Sequence, residues 1–132
     1  MQTDKTILVV EDERPLAEAI RINLEDSGFE VVTARTVDQA LDYCKSVKNI
    51  GAIWLDHYLL GKKDGLDFVA SIKSEDMKLY DIPIFVVSNT AGPEKMLSYM
   101  HLGVEKYYIK AEHHLADIIK DITKTIAAQA TI

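Results

Sequence analysis

Apolar runs of a few residues alternate along this chain with longer stretches whose apolar positions recur every three or four residues. The runs at 7–10, 52–56 and 82–88 show no in-and-out alternation, the pattern of strands buried on both faces of a parallel sheet. Pro15 sits where a first helical turn tolerates it, and Leu16, Ala19, Ile20 and Leu24 form one stripe up to a stop at Ser27-Gly28. Residues 29–34 alternate and include Glu30 and Thr33, which suits an edge strand. Thr36 or Asp38 caps a second helix with Ala40, Leu41, Cys44 and Val47 on it, closed by Asn49 and Gly51. A third helix covers 66–74, with Phe68, Val69 and Ile72 apolar, and a polar loop covers 75–81. Pro83 can only stand near the start of the strand at 82–88. A fourth helix at 93–102 ends at Gly103, and 106–109 is a short fifth strand. Leu115, Ile118, Ile119, Ile122 and Ile126 then share one face of a last helix. Parallel neighbours need helical crossovers, so the alternation predicts an α/β fold, a (βα)5 doubly wound sheet of five parallel strands. No repeat or linker interrupts it, and residues 1–132 read as a single domain with no room for a second.

Composition narrows the function classes. With 132 residues, 48% of them hydrophobic, the chain can bury a core without staples. Lys+Arg 15 against Asp+Glu 21 gives a net charge of -6, the wrong sign for a protein that neutralises phosphates, so direct DNA binding is not expected. The one cysteine, Cys44, excludes an internal disulfide, fits a reducing compartment and reads as a buried structural thiol. The opening MQTDKT is no signal peptide and no stretch approaches a membrane span, so the expected location is the cytoplasm, without membrane insertion.

Glu11 and Asp12 follow the first apolar run, Asp56 the third and Lys110 the fifth. In such sheets ligands bind beyond the carboxyl ends of the strands, so these charges meet at one edge. Two carboxylates about 5 Å apart repel by roughly 3 kcal/mol at an effective dielectric of 20, and three together need a cation. Oxygen-only ligands open to water suit Mg²⁺ better than a caged Ca²⁺ or a nitrogen- and sulfur-seeking Zn²⁺. Lys110 adds a mobile positive charge. Such a site is prepared for a phosphoryl group: the metal and the ammonium neutralise its equatorial oxygens while a carboxylate oxygen attacks phosphorus in line. Ser88, ending the fourth strand, offers a hydroxyl donor.

Glu11-Asp12, Asp56, Asp64-Gly65, Ser88-Asn89, Tyr107 and Lys110, in this order and at these separations, resemble the receiver domain of two-component response regulators. The likeness covers essentially the whole chain, as in the single-domain chemotaxis-type regulators. It implies the flavodoxin-like receiver fold, with strand order 2-1-3-4-5 carried over from the family. It further implies that Asp56 is the phosphoacceptor, that Glu11, Asp12, Asp56 and the main-chain carbonyl of Tyr58 bind Mg²⁺, and that Ser88 and Lys110 contact the phosphoryl group. In that family the hydroxyl residue moves toward the phosphate and an aromatic side chain turns inward behind it, the place Tyr107 holds here. Output then appears on the fourth helix, fifth strand and fifth helix. The resemblance implies a signalling switch that catalyses its own phosphorylation and dephosphorylation, not an enzyme with a turnover substrate. The partners it implies are a sensor histidine kinase or histidine phosphotransfer protein upstream, docking around Arg14 and Leu16, and a protein effector downstream. No output domain is expected after Ile126, and phosphorylation-dependent homodimers are allowed.

Four departures from the family pattern carry expectations of their own. The first acid is Glu11 where aspartate is commoner, which keeps the charge and changes reach. Leu60 stands in the place of a usual proline, and the spacing from Asp56 to Gly65 is one residue longer, so the backbone around the metal is expected to shift slightly. Ala111 follows Lys110 where the family has a cis proline; before alanine a cis bond costs roughly 2.5–4 kcal/mol, so a trans bond and a rearranged loop are expected. Tyr58 and Thr90 supply neither acid nor amide to orient water, which predicts a long-lived aspartyl phosphate.

His57 is expected to be a packed histidine, its side chain opposite that of Asp56. His113-His114 diverge by about 100° on a helix start and read as solvated or capping. The fourth helix cannot bury all of Met96, Leu97, Tyr99 and Met100, and with Tyr108 these are expected to leave some exposed side chains that mark a partner surface. Lys120 and Lys124, alternating with Asp117 and Asp121, read as a solvated face. Two other functions stand beside the switch. One is a phosphorylation-independent pseudo-receiver acting as a constitutive interaction module. The other, a flavodoxin-like cofactor binder, lacks the small-residue phosphate loop where this chain has EDERP.

Overall fold

The computed structural model describes residues 5–74, 81–89 and 92–130. Most of the predicted polar loop at 75–81, and Thr90, lie outside the described residues. Strand β1 (Thr6–Val10) leads into helix α1 (Arg14–Asp26), which carries its proline in the first turn as expected. Strand β2 (Glu30–Ala34) and helix α2 (Val37–Ser46) follow; Thr36, not Asp38, is the cap, its hydroxyl accepting from the Gln39 N–H at 3.0 Å. Strand β3 (Ile50–Leu55) starts two residues earlier than expected, so Gly51 lies within the strand and not at the end of a helix. Helix α3 (Gly65–Ile72) opens on a reciprocal capping box between Asp64 and Asp67. Strand β4 (Ile84–Ser88), helix α4 (Pro93–His101), strand β5 (Lys106–Ile109) and helix α5 (Leu115–Ala130) complete the chain.

The five strands are parallel and ordered β2-β1-β3-β4-β5, as the sequence resemblance implied. Successive residues of each strand point to opposite faces, and this sorts the apolar side chains into two cores. Leu8, Val10, Ile53, Leu55, Ile84 and Val86 pack against Val37, Ala40, Phe68, Ile72 and Tyr99 of α2, α3 and α4. Their strand neighbours Ile7, Val9, Trp54, Phe85 and Val87 pack on Ile20, Leu24, Ile118 and Ile122 of α1 and α5. Burial of each such side chain contributes about 1.5–3 kcal/mol, which is why runs without alternation are stable only in a sheet covered on both sides. The register aligns Val10 with Ala34 and Leu55, Leu55 with Val86, and Ser88 with Ile109. The residues just after these positions, Glu11, Asp56 and Lys110, are thereby delivered to one edge.

Candidate functional site at the carboxyl edge of the sheet

Glu11, Asp12 and Asp56 converge: one carboxylate oxygen from each lies within 4.8 Å of the others. Glu11 is 1% exposed and Asp56 6%, while Asp12 is half-buried. Lys110 reaches back to them, its Nζ 3.2 Å from Glu11 Oε1 and 3.7 Å from Asp56 Oδ1. The other Glu11 oxygen, Oε2, accepts from the Glu13 N–H at 3.2 Å, so this acid is held at both ends. Ser88 ends β4 fully buried, and Tyr107, partly buried, packs beside Tyr99 with ring centroids 5.7 Å apart. Tyr58 is 58% exposed and its hydroxyl accepts from Lys95 Nζ at 3.0 Å.

The loops that carry these residues depart from the family pattern in ways with clear physical causes. No peptide bond among the described residues is cis, and Lys110–Glu112 form a single 3-10 turn. The trans bond expected before Ala111 is present, yet the ammonium of Lys110 still reaches both acids, because the turn starts at Lys110 itself and leaves β5 in register. Leu60, in place of a proline, donates its N–H to the Arg35 carbonyl at 3.3 Å, a bond that proline cannot make. The longer loop turns at Gly61, whose φ of 92° is a conformation that favours glycine.

Burial and the charge of Asp56 push the Glu11 carboxyl up to about 7, against the pull of Lys110. Burial also raises Asp56, with Lys110 opposing. Desolvated carboxylates this close suit a hard divalent cation, whose charge would relieve both terms, and the all-oxygen donor set fits such an ion. Because the folded-state value of Glu11 stands above its ordinary 4.5, its contribution to stability is complete below about pH 4.5 and is lost as pH rises through about 7. In chelator, Glu11→Gln is therefore expected to gain on the order of 1–3 kcal/mol over wild type between pH 5 and 8, read by urea denaturation. Parallel pH profiles for the two proteins would contradict this.

Of the other residues singled out, His57 is buried, as expected, but it is not merely packed: its Nδ1 lies 2.6 Å from the Tyr99 hydroxyl and its Nε2 3.7 Å from Asp64 Oδ2. Burial lowers its pKa, with Lys95 adding to the shift. His113 and His114 are exposed, and the His113 ring meets Tyr108 edge-on. Tyr99 and Tyr108 are buried and Met96 is partly so, while Leu97 (67% exposed) and Met100 (46%) face outward, which divides the α4 side chains. Asp121 is more than part of a solvated face, since it accepts from the Tyr108 hydroxyl at 2.6 Å and from Lys106 Nζ at 3.2 Å. Cys44 is partly buried, and burial pushes its thiol up to about 11. Sequence reasoning missed Arg35, whose Nη2 donates to the Asp12 carbonyl at 3.1 Å, and the grip of Lys95 and Tyr99 on residues 57 and 58. No local pattern signals these contacts, because the first joins two strand ends and the others join α4 to the segment after β3.

Comparison with known proteins agrees with this geometry. The sequence profile of the response regulator receiver domain matches residues 7–123. The phosphate regulon transcriptional regulatory protein PhoB of Escherichia coli K12 is 29% identical over 132 residues, covering 96% of this chain and 55% of that protein. The alkaline phosphatase synthesis transcriptional regulatory protein PhoP of Bacillus subtilis 168 is 29% identical over 107 residues, 81% of this chain and 42% of that one. The chain thus spans about half the length of the curated relatives it matches. Among solved structures, a response regulator receiver protein from Pseudomonas putida superposes with a TM-score of 0.84 at 27% identity, covering 94% of this chain and 99% of that one. The phosphorylated cyanobacterial phytochrome response regulator RcpA does so at 0.78 and 28%, covering 93% and 91%. These relatives correct the expectation of no direct DNA binding. PhoB and PhoP are transcriptional regulatory proteins about twice the matched span or longer, so the acidic charge of this span does not by itself exclude DNA. No helix among the described residues is long and apolar enough to cross a membrane.

Proposed function

Because the chain belongs to the response regulator receiver domain family, whose members are signalling switches, we propose that residues 1–132 form one receiver unit. In this reading it takes a phosphoryl group from a phosphohistidine donor onto Asp56, in the cytoplasm and with Mg²⁺. The observation that carries the reading is Lys110 Nζ poised 3.2 Å from Glu11 and 3.7 Å from Asp56 at the edge where three acids converge. Glu11, Asp12, Asp56 and the main-chain carbonyl of Tyr58 would hold Mg²⁺, which when bound neutralises charge on the phosphoryl oxygens. An Asp56 oxygen attacks phosphorus in line as the P–N bond breaks; the imidazole keeps that electron pair and takes up a proton. Lys110 offers its ammonium to the oxygens of the transferred group and Ser88 its hydroxyl. The same residues support hydrolysis of the acyl phosphate, in which a water oxygen attacks phosphorus, the Asp56 O–P bond breaks, and the carboxylate and inorganic phosphate are released.

The donor, a sensor histidine kinase or histidine phosphotransfer protein, docks at the start of α1 around Arg14 and Leu16. Output passes from Ser88 and Tyr107 to the surface of α4, β5 and α5, where Leu97 and Met100 are exposed for a protein partner. Its transcriptional relatives make control of transcription the output class we assign, with DNA reached outside the span matched here. Incubation with phosphoramidate and Mg²⁺ followed by intact-mass measurement tests the reading. Addition of one phosphoryl group supports it, whereas no addition favours the constitutive interaction module.

Tyr58 bears on lifetime. Its side chain is exposed and bonded to Lys95, and it brings no carboxylate or amide with which to orient a water. The aspartyl phosphate is therefore expected to be long-lived, and Tyr58→Asn to shorten it several-fold. A lifetime of seconds that Tyr58→Asn leaves unchanged would count against this.

A further inference from the structure

We propose that Tyr99 is a positioning residue for the phosphoacceptor loop, tying the middle of α4 to His57 and so to Asp56, as a second link between acceptor and α4 beside Ser88 and Tyr107. The inference rests on the receiver reading above. The Tyr99 ring is fully buried between α3, β5 and the loop after β3. Phenylalanine would fill the same space, so packing alone does not call for the hydroxyl. A buried hydroxyl is costly unless it is hydrogen-bonded, and this one meets His57 Nδ1 at 2.6 Å. Nε2 faces the Asp64 carboxylate at 3.7 Å, and in the tautomer with its proton on Nε2 the Nδ1 atom accepts from the Tyr99 hydroxyl.

His57 is not a bystander in this loop. Its main-chain N–H hydrogen-bonds the Asp56 carboxylate, and its carbonyl accepts from the Gly65 N–H at 2.9 Å. Fixing the imidazole therefore fixes the peptide on which the acceptor hangs. One turn earlier on the same face of α4, Lys95 donates to the Tyr58 hydroxyl at 3.0 Å. Two helix residues thus hold the two residues that follow Asp56, one contact buried and one exposed. The Tyr99 ring also stands 5.7 Å from that of Tyr107, so the two routes meet. A network of this kind couples its ends reciprocally: a change of state at Asp56 is felt at α4, and a change at α4 alters the acceptor.

The test is amide hydrogen exchange across α4 in the whole chain, with Mg²⁺ alone and with Mg²⁺ plus beryllofluoride as the phosphoryl stand-in. In wild type, beryllofluoride is expected to change exchange of the α4 amides about fivefold or more. In Tyr99→Phe the α4 response is expected to fall below about twofold, while Mg²⁺ affinity and the beryllofluoride response at Ser88 and Lys110 persist. His57→Phe, which removes the same bond from the other side, is expected to give the same loss. An undiminished α4 response in both variants overturns the inference while leaving the receiver reading intact. A wild-type protein that takes up no beryllofluoride overturns both.

Discussion

Asp56→Asn is expected to take up no phosphoryl group from phosphoramidate under conditions in which wild type gains one. The amide has nearly the shape of the carboxylate but lacks the anionic oxygen that attacks phosphorus, so the loss is complete and not graded. In the proposed reading the acceptor among the three acids is Asp56. Glu11 is 1% exposed and each of its oxygens already accepts one hydrogen bond, from Lys110 and from the Glu13 N–H, which leaves lone pairs for a metal but holds the carboxylate in place. Among the described residues Asp12 has no such lysine contact, whereas Asp56, just after the central strand, lies 3.7 Å from Lys110, with Glu11 and Asp12 gathered within 4.8 Å. The same variant is expected to be more stable than wild type in chelator at neutral pH. Its removal of one charge from a desolvated cluster takes away a repulsion that also raises Glu11. Intact mass and urea denaturation read the two effects separately. Phosphoryl uptake by Asp56→Asn would move the chemistry to another residue.

Gly65→Ala is expected to destabilise the fold by about 3 kcal/mol, lowering the melting temperature by roughly 10 °C. Gly65 opens α3, and a methyl group there would lie 2.2 Å from the Tyr99 hydroxyl, 3.1 Å from the Asp56 carbonyl and 3.2 Å from His57 Cα. The hydroxyl cannot retreat without breaking its bond to His57, and the other two contacts are backbone. The double variant Gly65→Ala with Tyr99→Phe is expected to regain part of the loss, because the nearest obstacle is gone while the backbone contacts stay. A cost below about 0.5 kcal/mol for the single change would mean that Tyr99 swings aside freely, against the fixed position assigned to it.

The architecture was legible because its signals are local. Apolar runs without alternation marked β1, β3 and β4, and the alternating 29–34 segment marked β2, which is one of the two edge strands. Pro15, Thr36 and Gly103 punctuated helices where the structure has them. The boundary errors have physical sources. Asn49 takes φ of 66° and starts β3 at once, so Gly51 was misread as a helix stop when it is a strand position covered by the Lys5 side chain. The acidic edge was legible from strand ends alone, since register brings Val10 beside Leu55 and hence Glu11 near Asp56. Hidden from the sequence were contacts between distant segments: Arg35 on the Asp12 carbonyl, Leu60 on the Arg35 carbonyl, Tyr99 on His57. Each depends on where two separate chain segments are placed, and no periodicity encodes that. His57 shows the limit clearly, because alternation puts its side chain on the face of Ile53 and Leu55, where Tyr99 of α4 packs, but does not signal the hydrogen bond it makes there. Reading DNA out of the partners from net charge failed for another reason: the charge of a span limits only that span.

The most direct measurement is the amide NMR spectrum of the protein alone, with Mg²⁺, and then with beryllofluoride. The account predicts that Mg²⁺ shifts signals at Glu11, Asp12 and Asp56, and that beryllofluoride then shifts Ser88, Lys110 and Tyr107 and spreads to residues 95–101. Mg²⁺ shifts with no further change on adding beryllofluoride would contradict it, leaving a metal site without a switch.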